Sequence, residues 1–199
     1  MGSNSTCLLQ KEDIDSISAE TGFTSKQIKR LYSRFTSLDK NGTGYLTRED
    51  FSRIPELHIN PLRDRIIDVL IQDNGYEGKV NFRQFANVFS TLRRSSAKDK
   101  NESNQNGSSQ ISNSKENKLK FLFSIYDRDK DDKISKDELL SILKMLVGSN
   151  LPEEQLNSIA ERTIAELGSD EEMFITFKQF CNTLEKIDID EKMSMKFLT

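Results

Sequence analysis

The sequence predicts an all-α fold of two lobes, each a pair of helix-loop-helix units closed by a short two-stranded bridge. Three observations carry this. A pattern of apolar helix, polar loop and apolar helix recurs four times at a spacing of roughly 35 to 55 residues, which marks tandem units that cannot bury their own faces alone. A stretch from Arg94 to Lys118 changes to Ser, Asn, Gln, Lys and Glu, with Ala97 and Ile111 its only aliphatic residues. It cannot bury enough apolar surface to offset its ordering entropy, so it reads as a flexible linker between the pairs. One loop, D-R-D-K-D-D-K-I-S-K-D-E from Asp127 to Glu138, spaces oxygen donors as a hard cation requires. The resulting division is a polar N-terminal segment at 1–24, a first lobe at 25–93, the linker at 94–118, a second lobe at 119–188 and a tail at 189–199.

In that loop Asp127, Asp129 and Asp131 take positions 1, 3 and 5, the Lys133 carbonyl position 7 and Ser135 position 9. Glu138 at position 12 can bind through both oxygens. A solvated acidic loop would not also place Ile134 at position 8 and Phe123 and Leu139 on the flanking helices, so the pattern reads as a calcium-binding EF-hand. Position 6 holds Asp132 where glycine is usual, and aspartate tolerates the left-handed geometry at about 1 kcal/mol.

The first lobe opens with Ile14 and Ile17 on one side of a polar helix. Thr24 and Gln27 then form a capping box for a helix whose face runs Ile28, Leu31, Tyr32, Phe35 and Leu38. The loop Asp39–Asp50 offers Asp39, Asn41 and Thr43 at positions 1, 3 and 5, the Tyr45 carbonyl at 7 and Leu46 at 8, but ends in Asp50. Aspartate is one methylene too short to bind through both oxygens, which favours weak calcium binding or the smaller magnesium ion. Pro55 ends the exit helix, and Asn60 with Pro61 is expected to start the next. The second loop, Asp73 to Gln84, has Gly75 at position 3 and Gln84 at 12 and reads as a scaffold without metal, pairing Val80 with Leu46.

In the second lobe a helix from Leu119 to Tyr126 enters the calcium loop, and one containing Leu139, Ile142, Met145 and Leu146 leaves it. Pro152 opens a third. The fourth loop, Gly168 to Gln179, lacks the first aspartate and the terminal glutamate, and Asp170 with Glu172 cannot form a cage. Ile175 is still expected to pair with Ile134.

With 199 residues, 35% hydrophobic and 31% charged, the chain can build one or two soluble cores. Its apolar runs are far short of the about 20 residues that cross a bilayer. No secretory signal is visible, and a net charge of −3 implies no general affinity for nucleic acid. Cys7 and Cys181 make no disulfide framework, which fits a reducing cytosol. The start M-G-S-N-S-T matches the signal for myristate on Gly2, which alone binds membranes marginally and needs a second anchor, a membrane-resident partner or palmitate on Cys7. His58 has no nucleophile or metal motif beside it, so no enzyme is expected.

The chain resembles the calcineurin B homologous proteins, a branch of the calcineurin B-like EF-hand family. The likeness lies in E-T-G-F at 20–23, R-L-Y-S-R-F-T-S-L-D-K at 30–40, R-E-D-F at 48–51, R-I-P-E-L at 53–57, I-N-P-L at 59–62, D-K-D-D-K-I-S at 129–135, L-E-K-I-D at 184–188 and K-M-S at 192–194. The resemblance implies paired EF-hands in a myristoylated, monomeric, cytoplasmic protein, peripheral at the plasma membrane and endomembranes. It further implies a regulatory subunit that holds an amphipathic cytoplasmic helix of a sodium/proton exchanger and supports its stability and pH response. Phe85, Phe89, Phe121, Met145, Phe180 and Leu184 supply an apolar surplus from which such a groove could be built. The fourth loop departs from the family, where it binds calcium. The alternative is the regulatory subunit of a calcineurin-like phosphatase, which also clamps a helix. A calcium buffer is disfavoured, since one good site buffers little.

Overall fold

The computed structural model describes residues 9–92, 115–168 and 173–188. Gly2, Cys7, most of the linker, Asp170, Glu172 and the tail lie outside them. Ten helices and two short antiparallel sheets are seen among the described residues.

In the first lobe α1 (Lys11–Thr21) buries Ile14 and Ile17 and ends at Gly22, whose φ of 67° lets its N–H reach the Ser18 carbonyl. α2 (Ser25–Leu38) begins at the expected capping box. The Gln27 N–H donates to Thr24 Oγ1 at 3.3 Å and the Thr24 N–H to Gln27 Oε1 at 2.9 Å. Its apolar stripe buries Ile28, Leu31, Phe35 and Leu38. β1 (Tyr45–Leu46) leads to α3 (Arg48–Ser52) and α4 (Pro55–His58), which has proline in its first turn. α5 (Arg63–Asn74) starts two residues later than Pro61 predicts, because Asn60 Oδ1 first takes the Leu62 N–H at 2.8 Å in a separate turn. β2 (Val80–Asn81) pairs Val80 with Leu46 as expected, and α6 (Phe82–Thr91) follows.

The second lobe comprises α7 (Lys115–Tyr126), β3 (Lys133–Ser135), α8 (Lys136–Val147), a 3₁₀ turn, α9 (Glu153–Leu167), β4 (Phe174–Thr176) and α10 (Phe177–Thr183). Ile134 pairs with Ile175, as their shared loop position predicts. α7 begins at Lys115, inside the compositional linker, and Lys118 is fully buried. Phe123, Ile134, Leu139, Ala160, Ile164 and Ile175 form the core of this lobe.

The lobes are packed together. Val69 of α5 meets Ile125 of α7 and Ile142 of α8, with Leu62, Ile66, Phe121, Leu122 and Tyr126 around them. This apolar seam ties the helix entering the calcium loop to the opposite lobe.

The second loop has stopped being a cation loop. α5 runs through its first two positions, and Tyr76 and Lys79 then close a two-residue hairpin turn, N to O at 2.8 and 3.0 Å. Glu77 and Gly78 both have positive φ, at 50° and 74°, as such a turn demands. Gly75 is fixed by crowding: a Cβ there would lie 2.5 Å from the Ile71 carbonyl oxygen and 2.9 Å from that of Lys79. Gly75→Ala should therefore destabilise the protein by about 2–3 kcal/mol in urea denaturation, because only backbone can yield.

Candidate metal centre

Loop three begins where α7 ends. The Asp127 N–H bonds the Phe123 carbonyl at 2.9 Å, and Glu138 is the third residue of α8. Between them the backbone turns twice through the left-handed region, at Lys130 (φ 62°) and Asp132 (φ 63°). Loop one follows the same track with Gly42 and Gly44, φ 64° and 79°. The sequence foretold Asp132; Lys130, at the matching fourth position, escaped notice although Gly42 marks the place.

These turns aim the side chains inward. Asp127 Oδ1 accepts the Lys130 N–H at 2.7 Å and Oδ2 the Asp132 N–H at 3.1 Å. Asp129 Oδ1 accepts from the Asp131 N–H at 3.3 Å, and Asp131 Oδ1 from the Lys133 N–H at 2.9 Å. Glu138 Oε1 takes the Arg128 N–H at 2.7 Å, while Oε2 takes the Ser135 N–H at 2.9 Å and its hydroxyl at 2.8 Å. One oxygen from each of Asp127, Asp129 and Asp131 lies within 4.8 Å of the others. Ligands on opposite sides of a calcium ion are about 4.6–5.2 Å apart, so this spacing fits one ion.

The electrostatics agree. Burial pushes the Asp127 carboxyl up, the Glu138 charge adds to this, and the Lys130 and Asp132 N–H groups only partly offset them. Burial works upward on Glu138 too, but the Ser135 and Arg128 N–H donors and the Ser135 hydroxyl hold it below the usual range. Four carboxylates thus stand at the ligand positions of one loop, and a dication relieves their repulsion. Asp127, Asp129, Asp131, the Lys133 carbonyl, Ser135 and Glu138 would hold it; Ser135, bonded to Glu138, sits at the position that often acts through water. The bound ion would neutralise the cage and brace α7 against α8.

Loop one answers its own charges. Asp39 takes the Thr43 N–H on Oδ1 at 2.9 Å and the Gly44 N–H on Oδ2 at 2.7 Å. The Thr43 hydroxyl lies 3.0 Å from the Tyr45 carbonyl, so two intended ligands can satisfy each other. Asn41 is exposed. Asp50 is buried, bonds the Thr47 N–H and hydroxyl through Oδ2, and pairs with Arg53 at 2.7 Å through Oδ1. The half-exposed Arg53 guanidinium thus already offsets part of the Asp50 charge. The signal was legible, since Arg53 lies three residues along from Asp50.

One regularity explains which substitutions the dead loops tolerate. Positions 9 and 12 of each loop are also the N-cap and third residue of the exit helix: Thr47 with Asp50, Asn81 with Gln84, Ser135 with Glu138 and Thr176 with Gln179 each form a capping box. Glutamine cannot replace glutamate toward calcium, yet it accepts the N-cap N–H equally well, at 2.8 Å for Gln84 and 2.7 Å for Gln179. The metal duty has gone while the folding duty remains.

The six groove residues do not share one surface. Phe85 and Phe89 are core residues of lobe one, 0% and 4% exposed, their rings tilted against each other with centroids 4.5 Å apart. Phe121 and Phe180 are half-buried against internal clusters, Leu184 is half-buried, and Met145 is exposed. The correction has a plain cause: α6 lays its aromatic face on α1 and α2, which sequence alone does not place there. Gly2 lies outside the described residues, and no described helix is long and apolar enough to cross a membrane.

Comparison with known proteins agrees with this geometry. Residues 116–194 match the EF-hand domain pair. The chain is 39% identical to the calcineurin B subunit of Naegleria gruberi over 196 residues, covering 98% of this chain and 99% of that protein. It is 36% identical to the type 1 calcineurin B subunit of Dictyostelium discoideum over 195 residues, 98% of each. With paired loops, a calcium cage in the third and relatives matched from end to end, the chain belongs to the calcineurin B-like family of EF-hand proteins.

Proposed function

We propose that this protein is the calcium-sensitive regulatory subunit of a calcineurin-type protein phosphatase. The observation that carries the reading is the end-to-end match to two calcineurin B subunits. It displaces the exchanger as the leading partner. In this reading the chain, a regulatory subunit like those it matches, acts by clamping an amphipathic helix of the catalytic subunit. Lobe two leaves Met145, Leu146, Leu151 and Ile159 exposed, large apolar side chains that such a helix would cover. The exchanger-binding branch is the second reading, favoured by the D-K-D-D-K-I-S wording of loop three and by three loops with incomplete ligand sets.

Immobilised helix peptides decide between them. The phosphatase reading predicts calcium-supported capture of the full chain by an amphipathic helix from a phosphatase catalytic chain, and little by an exchanger tail helix. The opposite preference would overturn it. Myristate on Gly2 brings the protein to the cytoplasmic face of membranes in concert with its partner. Labelling cells with a clickable myristate analogue should mark the wild type and not Gly2→Ala; an unlabelled wild type would remove this attachment.

A further inference from the structure

Arg65 belongs to α5 in lobe one, yet its guanidinium is spent on lobe two. The side chain is buried, at 6% exposure. Its Nε donates to the Ile125 carbonyl at 2.8 Å, and its Nη2 to the carbonyls of Ser124 at 2.6 Å and Asp127 at 2.7 Å. These are two carbonyls from the last turn of α7 and the first of loop three. A helix leaves such carbonyls without intrahelical donors and with the negative end of its dipole, and a planar cation with several donors in a fixed fork suits both needs.

The consequence for the calcium loop is specific. Asp127 supplies the first ligand, and its backbone is gripped on both sides: its N–H by the Phe123 carbonyl, its carbonyl by Arg65. The apolar seam of Val69, Ile125 and Ile142 packs beside these contacts and limits water that could replace the guanidinium. We propose that Arg65 is a positioning residue of the calcium site. Lobe one thereby sets the geometry from which Asp127 reaches the ion, and by reciprocity calcium in loop three strengthens the contact between lobes. The inference rests on loop three being the calcium site. The guanidinium charge by itself opposes a nearby cation, so the positioning effect and the charge effect have opposite signs on affinity.

Calorimetric titration of the full chain with calcium alone separates them, comparing wild type, Arg65→Met and Arg65→Lys, each also unfolded in urea without and with saturating calcium. Arg65→Met should weaken calcium binding about tenfold, as loss of an outer partner of a metal ligand does. Arg65→Lys keeps the charge and a single ammonium head in place of the fork, and should weaken it by a few-fold. The stabilisation that calcium confers in urea should shrink in step. A role confined to holding the fold would lower calcium-free stability and leave the affinity unmoved, and that result in a folded variant overturns the proposal. Tighter binding by Arg65→Met overturns it too. If Arg65→Met does not give native helical circular dichroism, Arg65→Lys decides alone: weakened binding supports the proposal and unchanged affinity ends it. A wild type that binds no calcium removes the metal reading and this proposal together, whereas normal wild-type binding with unmoved variants removes the proposal alone.

Discussion

Glu138→Gln should abolish high-affinity calcium binding, weakening it by about two decades or more, while leaving the protein folded. Glutamine brings one neutral acceptor where the ion needs two charged oxygens. The capping box nevertheless survives the change, because Gln84 and Gln179 already serve in that place at 2.8 and 2.7 Å. Glu138→Ala removes both duties, so it should lose calcium and in addition about 1 kcal/mol of calcium-free stability. Titration with calcium followed by urea unfolding in a chelator distinguishes the two variants. Equal calcium-free stability of Glu138→Gln and Glu138→Ala would contradict the double role assigned to this position.

Phe85→Ala should be the more damaging change to the fold, at about 3–5 kcal/mol. The ring is completely buried. Its centroid lies 5.5 Å from Phe35 and 4.5 Å from Phe89, in tilted or edge-on arrangements that aromatic rings favour. Removing it opens a cavity where α2 and α6 meet. Urea denaturation of wild type and variant measures the loss; a change below about 1 kcal/mol would mean that the ring stands at a surface, as the groove assignment required.

Much of the fold was legible because its signals are local. Position 8 of each loop named Leu46, Val80, Ile134 and Ile175, and both pairings formed in that register. The Thr24–Gln27 box spans three residues and formed as written. The ligands of loop three share twelve residues, so their convergence could be counted on the chain. What escaped depends on distance or on sterics. Arg65 reaches carbonyls 59 to 62 residues away, which no pattern in the sequence announces. Two of the six groove residues were misassigned because an apolar helix face fits a core and a partner equally well, and only the packing of α6 assigned Phe85 and Phe89 to the core. Gly75 read as a missing ligand, whereas its cause is the close approach of two carbonyls.

Counting the ions held by the wild-type chain and by Asp50→Ala, by titration calorimetry in a calcium-buffered solution, tests the account most directly. One calcium per chain in both proteins is the predicted result, since loop three alone among the described residues converges three aspartates, while Asp50 already serves Arg53 and the α3 cap. Two ions in the wild type, one of them lost in Asp50→Ala, would contradict it and make lobe one a second calcium site.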